Sequence, residues 1–523
     1  MFSRLKKLAV FALAVVLLNT ACKKDHVEAV VVPESSDKAL VSLKFKAVNN
    51  PGRLTEDIIC IVGDSTVTGV FPALNGKMDS LIATFEINGK EVLAGSVVQH
   101  SDTTLNDFTA PVTYTVKADN GDEKKYTVSL SQFTGLPIVY LTTVDAAAIT
   151  SKEDYVNGHI SINGNGLLFN SYEGDMQIRG RGNTTWDMPK KPYKIKLNSK
   201  AEILGMPADK EWALLANYSD KSLMRNYLAF ETSKILELEY TPRYQFVEVF
   251  LNGTYVGNYQ LGEHIKVATN RVNIKELDED DISASKISGG YRLEVDARLD
   301  EPNWFYSAQG VPFTIKDPDE GVIAQNTYIQ NYIQATEDAI YGSSFTDPTK
   351  GYAAYINPTT FINWFWVNEL FKNNDALFHQ SVLMYKDRDS LLKMGPVWDF
   401  DIAAGNIDYN GNDNPEGWWV KNAKWMSRLF EDKVFAQQAI TRWQSVRTRL
   451  NKLQDKIDAT AAYLKYSQGA NFKTWDILNI YVMPNAVVTG SYDGEVAYLK
   501  SWLTSRINWI DAHLQELASS GTN

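Results

Sequence analysis

Residues 373–406 contain NND and then HQSVLMYKDRDSLLKMGPVWDFDIAAGN, and three aspartates there, Asp375, Asp399 and Asp401, are spaced to do chemistry together. Residues 381–386 read as a strand, 387–390 as a turn, and 391–397 as a returning strand interrupted by Gly395 and Pro396. The turn lies almost midway between Asp375 and Asp399, so antiparallel pairing brings both to one end of the hairpin. In extended backbone Asp401 shares a side with Asp399, and Phe400 faces the core. Three clustered acids repel one another, and their natural partner is a hard divalent cation with phosphate oxygens. Upstream, RGRGNTTW at 179–186 is a loop whose backbone N–H groups, Arg181 fork and Asn183 amide could meet phosphates. In the strand 193–197, Lys194 and Lys196 share one face, so one of them can point into a cleft under that loop. A helix over 222–236 offers Glu231 to hold that lysine, with Glu263 as the alternative.

The elements that must position these groups follow from hydrophobic periodicity. Residues 176–179, 246–251 and 291–295 read as further strands, and Asn252-Gly253 marks a hairpin. Residues 360–372 and 494–517 read as helices; in the latter Leu499, Trp502, Leu503, Arg506, Trp509, Ile510 and Leu514 form one stripe. The order helix, acid, hairpin, acid is that of the C-lobe of protein kinases, where the first acid orients a hydroxyl nucleophile and the second holds Mg²⁺. The His-Arg-Asp and Asp-Phe-Gly strings are absent.

RGRGNTTW, KKPYKIKL, EILGMP, LLANYSDKSLMRNYLAFE, YTPRYQFVEVFLNGTYVGNYQLGEHI, GGYRLEVD and GPVWDFDIAAGN together resemble the CotH kinase family, over about 170–406 and the helices that follow. The resemblance implies an atypical protein-kinase-like two-lobe domain over 135–518. Such a domain would use ATP with Mg²⁺ or Mn²⁺ to phosphorylate hydroxyl side chains of exported proteins. By motif it makes Asp375 the catalytic acid and Asp399 the metal-holding acid, with Asp401 a second metal contact. Lys194 or Lys196 and Glu231 would form the cofactor-binding pair. Where conventional kinases carry a second metal-binding asparagine, five residues past the catalytic acid, this chain has Gln380.

The 523 residues are 44% hydrophobic and 22% charged, which is ordinary globular composition with room for two or three cores. The fold class expected is α+β. Residues 39–134 carry short β-rich runs with turns at Asn88-Gly89 and Asn120-Gly121, and read as an immunoglobulin-like β-sandwich. A formal charge of −11 without a long basic run argues against a nucleic-acid partner. Two cysteines and six scattered histidines make neither a disulfide framework nor a zinc motif. At the N-terminus Arg4, Lys6 and Lys7 precede an apolar run over 8–18, the pattern of a secretory signal spanning 1–21. Thr20-Ala21-Cys22 resembles a lipobox, so Cys22 is expected to be acylated and to anchor the chain in the cell envelope through a tether over 22–38. Cys60 reads as a buried free thiol. Two other classes remain open at this level. One is a catalytically inactive surface lipoprotein binding a partner protein or glycan, which 13 Trp, 26 Tyr and 22 Phe would allow. The other is a glycoside hydrolase using paired acids.

Overall fold

The computed structural model describes residues 34–519 apart from 75, 167 and 168. The expected signal over 1–21, the expected acylation site Cys22 and the part of the expected 22–38 tether up to residue 33 lie outside the described residues. No helix among the described residues is long and apolar enough to cross a membrane.

Alternation of buried and exposed side chains builds an all-β N-terminal region. Ala39–Phe45 pairs with Ile58–Ile59 and Thr84–Asn88 in a three-stranded sheet. A six-stranded sheet includes Thr66–Phe71, Val112–Lys117 and Glu123–Gln132, the last two joined at Asn120-Gly121 with Tyr114 opposite Tyr126. Leu43 and Phe45 of the first sheet share one core with Val67, Tyr114, Val116 and Val128 of the second. Cys60 is a buried free thiol in that core, and burial pushes it up to about 12, out of reach of thiolate chemistry.

The next seven strands close into a barrel. Ile138–Thr143, Val156–Asn163, Tyr172–Gly180, Tyr193–Ile203 and Met206–Leu215 follow one another antiparallel; Thr254–Glu263 and Tyr244–Leu251 complete the ring, the latter running parallel to Ile138–Thr143. Ile178, Ile195, Leu197, Trp212, Leu214 and Leu261 fill the interior, so the alternating residues, Lys194 and Glu211 among them, face outward. Between the fifth and sixth strands in sequence lies the helix Arg225–Ile235. It begins three residues later than periodicity predicts because Asp220 captures Ser222 N at 3.1 Å and Arg225 N at 2.8 Å, which fixes 220–224 as a turn.

A five-stranded sheet then carries the acids, in the order Trp304–Tyr306, Pro312–Asp317, Tyr291–Val295, Val382–Lys386, Lys393–Met394. Leu293, Val295, Phe313, Val382 and Met384 on one face enter the largest core. On the other face Leu383 and Tyr385 pack beneath Ile265, Val267, Val272 and Ile274 of the segment leaving the barrel, so this face looks toward the barrel. Helices form the remaining layer. Pro358–Leu370 starts with Asn357 as cap and Pro358 at its first turn, and is buried over most of its length. It packs against Lys433–Leu450 and Tyr492–His513. Arg506, inside the apolar stripe of that last helix, is fully buried and meets Glu369 at 2.5 Å, while it also donates to the carbonyls of Pro415 at 2.8 Å and Gly417 at 2.7 Å. Glu369 in turn accepts from Trp419 N and Lys421 N, both at 2.8 Å. Removing one partner of such a pair strands a buried charge, so Arg506→Met should cost about 3–5 kcal/mol of folding stability, measured by denaturant unfolding. A loss below about 1 kcal/mol would mean that Glu369 is satisfied without it.

Candidate functional site

The hairpin does what its sequence promised. Met384 stands opposite Met394 and Tyr385 opposite Lys393, and Gly395 N still reaches Leu383 O at 2.8 Å. Asp375 precedes the outgoing strand and Asp399 follows the returning one; Ser381 Oγ donates to Asp399 Oδ2 at 3.2 Å across the gap. The backbone at Asp399 departs from the extended form expected: φ is +65°, in the left-handed region, and Asp401 lies in a turn. The reversal still buries Phe400, which packs edge-on against Phe371 at 5.6 Å, while both carboxylates stay in one cluster. An aspartate at positive φ is a strained choice that the surroundings must hold, and such strain gathers at functional sites. Here the holder is Asn226, whose Oδ1 accepts Phe400 N at 2.9 Å.

The charge balance of the cluster is unusual. Burial raises the Asp375 carboxyl to about 6, with the charge of Asp399 adding to the shift and the Asn374 amide, 3.0 Å from Oδ1, opposing it. Asp401 is held well above the carboxylate range, by burial first and then by Asp399, Asp220 and Asp375. Its polar contacts include a side-chain hydrogen bond with Asp399, Ser219 Oγ, which donates to Oδ2 at 3.4 Å, and Asn406 Nδ2, which donates to its backbone oxygen at 2.7 Å. Among the described residues none of the three carboxylates forms an ion pair with Lys, Arg or His. Such repulsion is relieved by protonation or by a cation, and carboxylate oxygens are donors of the kind that hard divalent cations take. Among the described residues no group of three or more His, Cys, Asp or Glu side chains is arranged to hold a metal ion by itself. Mg²⁺ needs none, since one or two carboxylates suffice when water and phosphate oxygens complete the shell.

The barrel supplies positive charge. Lys194 Nζ meets Glu211 Oε2 at 2.7 Å and His264 Nε2 at 3.1 Å. Burial lowers the Lys194 ammonium, with Glu211 opposing. Burial alone would raise Glu211, but hydrogen bonds and charge from Lys194 and Lys266 overcome it and hold the carboxyl at about 2. His264 is kept well below its usual range by burial and then by Lys194, Arg181, Arg292 and Arg271; it is neutral and accepts from Lys194. Arg181 stacks over Trp398 at 4.9 Å, next to Asp399 in sequence, and forms no ion pair among the described residues, so its N–H fork is available to an anion.

The sequence-derived residues therefore divide. Asp375, Asp399 and Asp401 come together, and Arg181 from the barrel is close enough to feel the charge of Asp399, while Lys194 sits with Glu211 and His264 on the barrel. Glu231 does not: it lies on the helix Arg225–Ile235 paired with Lys234 at 2.6 Å and Lys456 at 2.5 Å, because that face of the helix meets the C-terminal helices and not the barrel lysines. Glu263 is fully buried and spent on Arg243 and Tyr240. Glu211 takes the role foreseen for them. Strand alternation puts it on the outward face, but its approach to Lys194 depends on a register in which Lys196 stands opposite Glu211 and Lys194 opposite Ala213. Lys196 is exposed beyond the cluster. Asn183 gives its Oδ1 to Lys152 at 3.0 Å, at the start of a helical turn, Thr184–Asp187, where an open loop was expected.

The site thus consists of three acids without an ion pair among the described residues, with Arg181 near Asp399 and a Lys194–Glu211–His264 group on the barrel. Residues 178–510 match the family model described as CotH kinase protein, and the chain belongs to the CotH kinase family. That membership suggests kinase-like activity with nucleotide and metal use. Residues 57–130 match the model described as SGBP, N-terminal. No curated protein matches the chain.

Because Asp375 titrates higher folded than unfolded, the protonated form is the more stable one, and stability is lost as pH rises from near 4 through about 6. In metal-free solution Asp375→Asn should escape that loss and gain up to about 3 kcal/mol at pH 8, with the gain vanishing near pH 4. Thermal unfolding in chelator across this range measures it, and equal stability at pH 8 would show that the carboxylate carries no strain.

Proposed function

We propose that the chain is an envelope-anchored phosphotransferase that uses Mg-ATP to phosphorylate hydroxyl side chains of exported proteins. The observation that carries the reading is the acid cluster without an ion pair among the described residues, with Arg181 beside Asp399. Asp399 and Asp401 would hold Mg²⁺, which would supply charge neutralisation for the phosphates, and Arg181 and Lys194 would take phosphate oxygens; Glu211 and neutral His264 hold the lysine in place. Asp375, with the carboxyl oxygen that Asn374 leaves free, orients the acceptor hydroxyl. In phosphoryl transfer such alignment and charge neutralisation supply most of the rate. The barrel and the helical body act as the two lobes of an atypical kinase, and the N-terminal sheets as an immunoglobulin-like spacer that carries the site away from an anchor at Cys22.

A second reading, a catalytically inactive surface lipoprotein that binds a partner protein or glycan, draws on Gln380. It stands where conventional kinases carry an asparagine for a second metal, and only its backbone N–H, 3.4 Å from Asp375 O, is engaged with the acid.

Asp399→Asn should keep the wild-type fold and lower transfer from labelled ATP by at least about a hundredfold. Full labelling by the variant would end the kinase reading, and a stabilising response to glycan with none to Mg-ATP would favour the second. Anchoring is separable: Cys22→Ala should move the protein from the membrane fraction to the soluble fraction on fractionation, and unchanged membrane association would exclude acylation as the anchor.

A further inference from the structure

The hydrogen bonds behind Asp375 run in one direction. Lys372 sends its ammonium into the loop 408–417, donating to the carbonyls of Asn414 and Glu416 at 2.8 Å each and of Gly411 at 3.3 Å. Trp502 Nε1 holds Asp413 O at 2.7 Å, and Arg506 holds Pro415 and Gly417. Three inward-pointing side chains thus fix the loop through its carbonyls. From it Asn410 Nδ2 donates to Asn374 Oδ1 at 2.9 Å, and buried Asn412 donates to the same oxygen at 3.4 Å. Asn374 turns its own Nδ2 to Asp375 Oδ1 at 3.0 Å. The polarity is forced, because an ionised carboxylate only accepts, so Asn374 must show it the amino end and show the loop its oxygen.

We propose that Asn374 is a positioning residue for phosphoryl transfer, set by Asn410 and aiming Asp375 by occupying Oδ1 so that Oδ2 faces the acceptor hydroxyl. This rests on the kinase reading. In the step concerned the acceptor oxygen forms a bond to the γ-phosphorus of ATP, its proton passes to Asp375 Oδ2, and the bond from that phosphorus to the bridging oxygen breaks, ADP leaving with the electron pair. A carboxylate free to turn about its terminal torsion would present Oδ2 for only part of the time, and misplacement of a reacting group is costly in rate. Nucleotide binding, assigned to Asp399, Asp401, Arg181 and Lys194, does not use the Asn374 amide.

Transfer from ATP to a Ser-rich acceptor peptide is to be compared for wild type, Asn374→Ala, Asn410→Ala and the double variant. Asn410 is exposed but its φ is +59°, so thermal unfolding of Asn410→Ala is measured beside its rate to separate backbone strain from loss of the hydrogen bond. Asn374→Ala should lower kcat about tenfold with KM for ATP and the Mg-ATP thermal shift unchanged. Asn410→Ala should lower kcat by less, and the double variant should be no slower than Asn374→Ala, because the two act in series. An active wild type beside an Asn374→Ala of equal kcat overturns the relay and leaves the kinase reading standing, as does a loss carried wholly by KM for ATP. A wild type that labels no acceptor and shows no Mg-ATP shift overturns the kinase reading, and the relay with it.

Discussion

Negative charge with no built-in counter-charge governs this molecule's second half. Asp375, Asp399 and Asp401 share a partly buried space, and burial together with mutual repulsion drives Asp375 and Asp401 toward protonation. A stable protein ordinarily pairs such groups or keeps them in water. Here Arg298 is spent on Asp296 at 2.6 Å and Arg225 on Asp220 at 2.6 Å, and Arg181, which feels the charge of Asp399, forms no ion pair among the described residues. What remains is a floor whose electrostatic cost a divalent ion would relieve, which makes metal binding and local stability one quantity.

Holding that floor demands rigidity on the side away from the cleft. The helix Pro358–Leu370 sits in the largest core with Trp364, Trp366 and Phe365 fully enclosed, and ends just before the segment bearing Asp375. Glu369 near its end clamps Arg506 and the backbone at Trp419 and Lys421, and Arg506 ties the loop that faces Asn374. The same buried ion pair therefore supports the fold and the ground behind the acid. Ridged packing of this kind transmits small displacements, so the chemistry is sensitive to residues that never meet a ligand.

The opposite wall is built on different principles. A closed barrel has no free edge and presents alternate residues outward, so Lys194 and Glu211 stand on a surface that does not fray. Their ion pair is formed across neighbouring strands, diagonal to the register, and neutral His264 closes it from the end of the Thr254–Glu263 strand. The pairing acid lies on the same sheet as the lysine, which frees the helix Arg225–Ile235 to pack against the C-terminal helices and to spend Glu231 on Lys234 and Lys456.

The sequence alone determined whatever depends on neighbours along the chain. Alternation placed the strand Tyr291–Val295 to the residue and the hairpin at Asn252-Gly253, where Leu251 pairs with Thr254. The near-equal distances of Asp375 and Asp399 from one turn brought those acids together before any tertiary contact was considered. The tertiary structure decided what depends on register and on distant surfaces. Nothing local tells that Ile138–Thr143 pairs with Tyr244–Leu251 to close a barrel, and nothing in a helical stripe tells which acid on it faces a lysine from a strand. Glu231 was the natural choice by position and Glu211 the actual partner, because a diagonal contact across two strands is set by their stagger. Asp399 at positive φ belongs to the same class: propensity favours an extended residue there, and the Asn226 hydrogen bond to Phe400 N, reaching across 174 positions of chain, holds the turn instead.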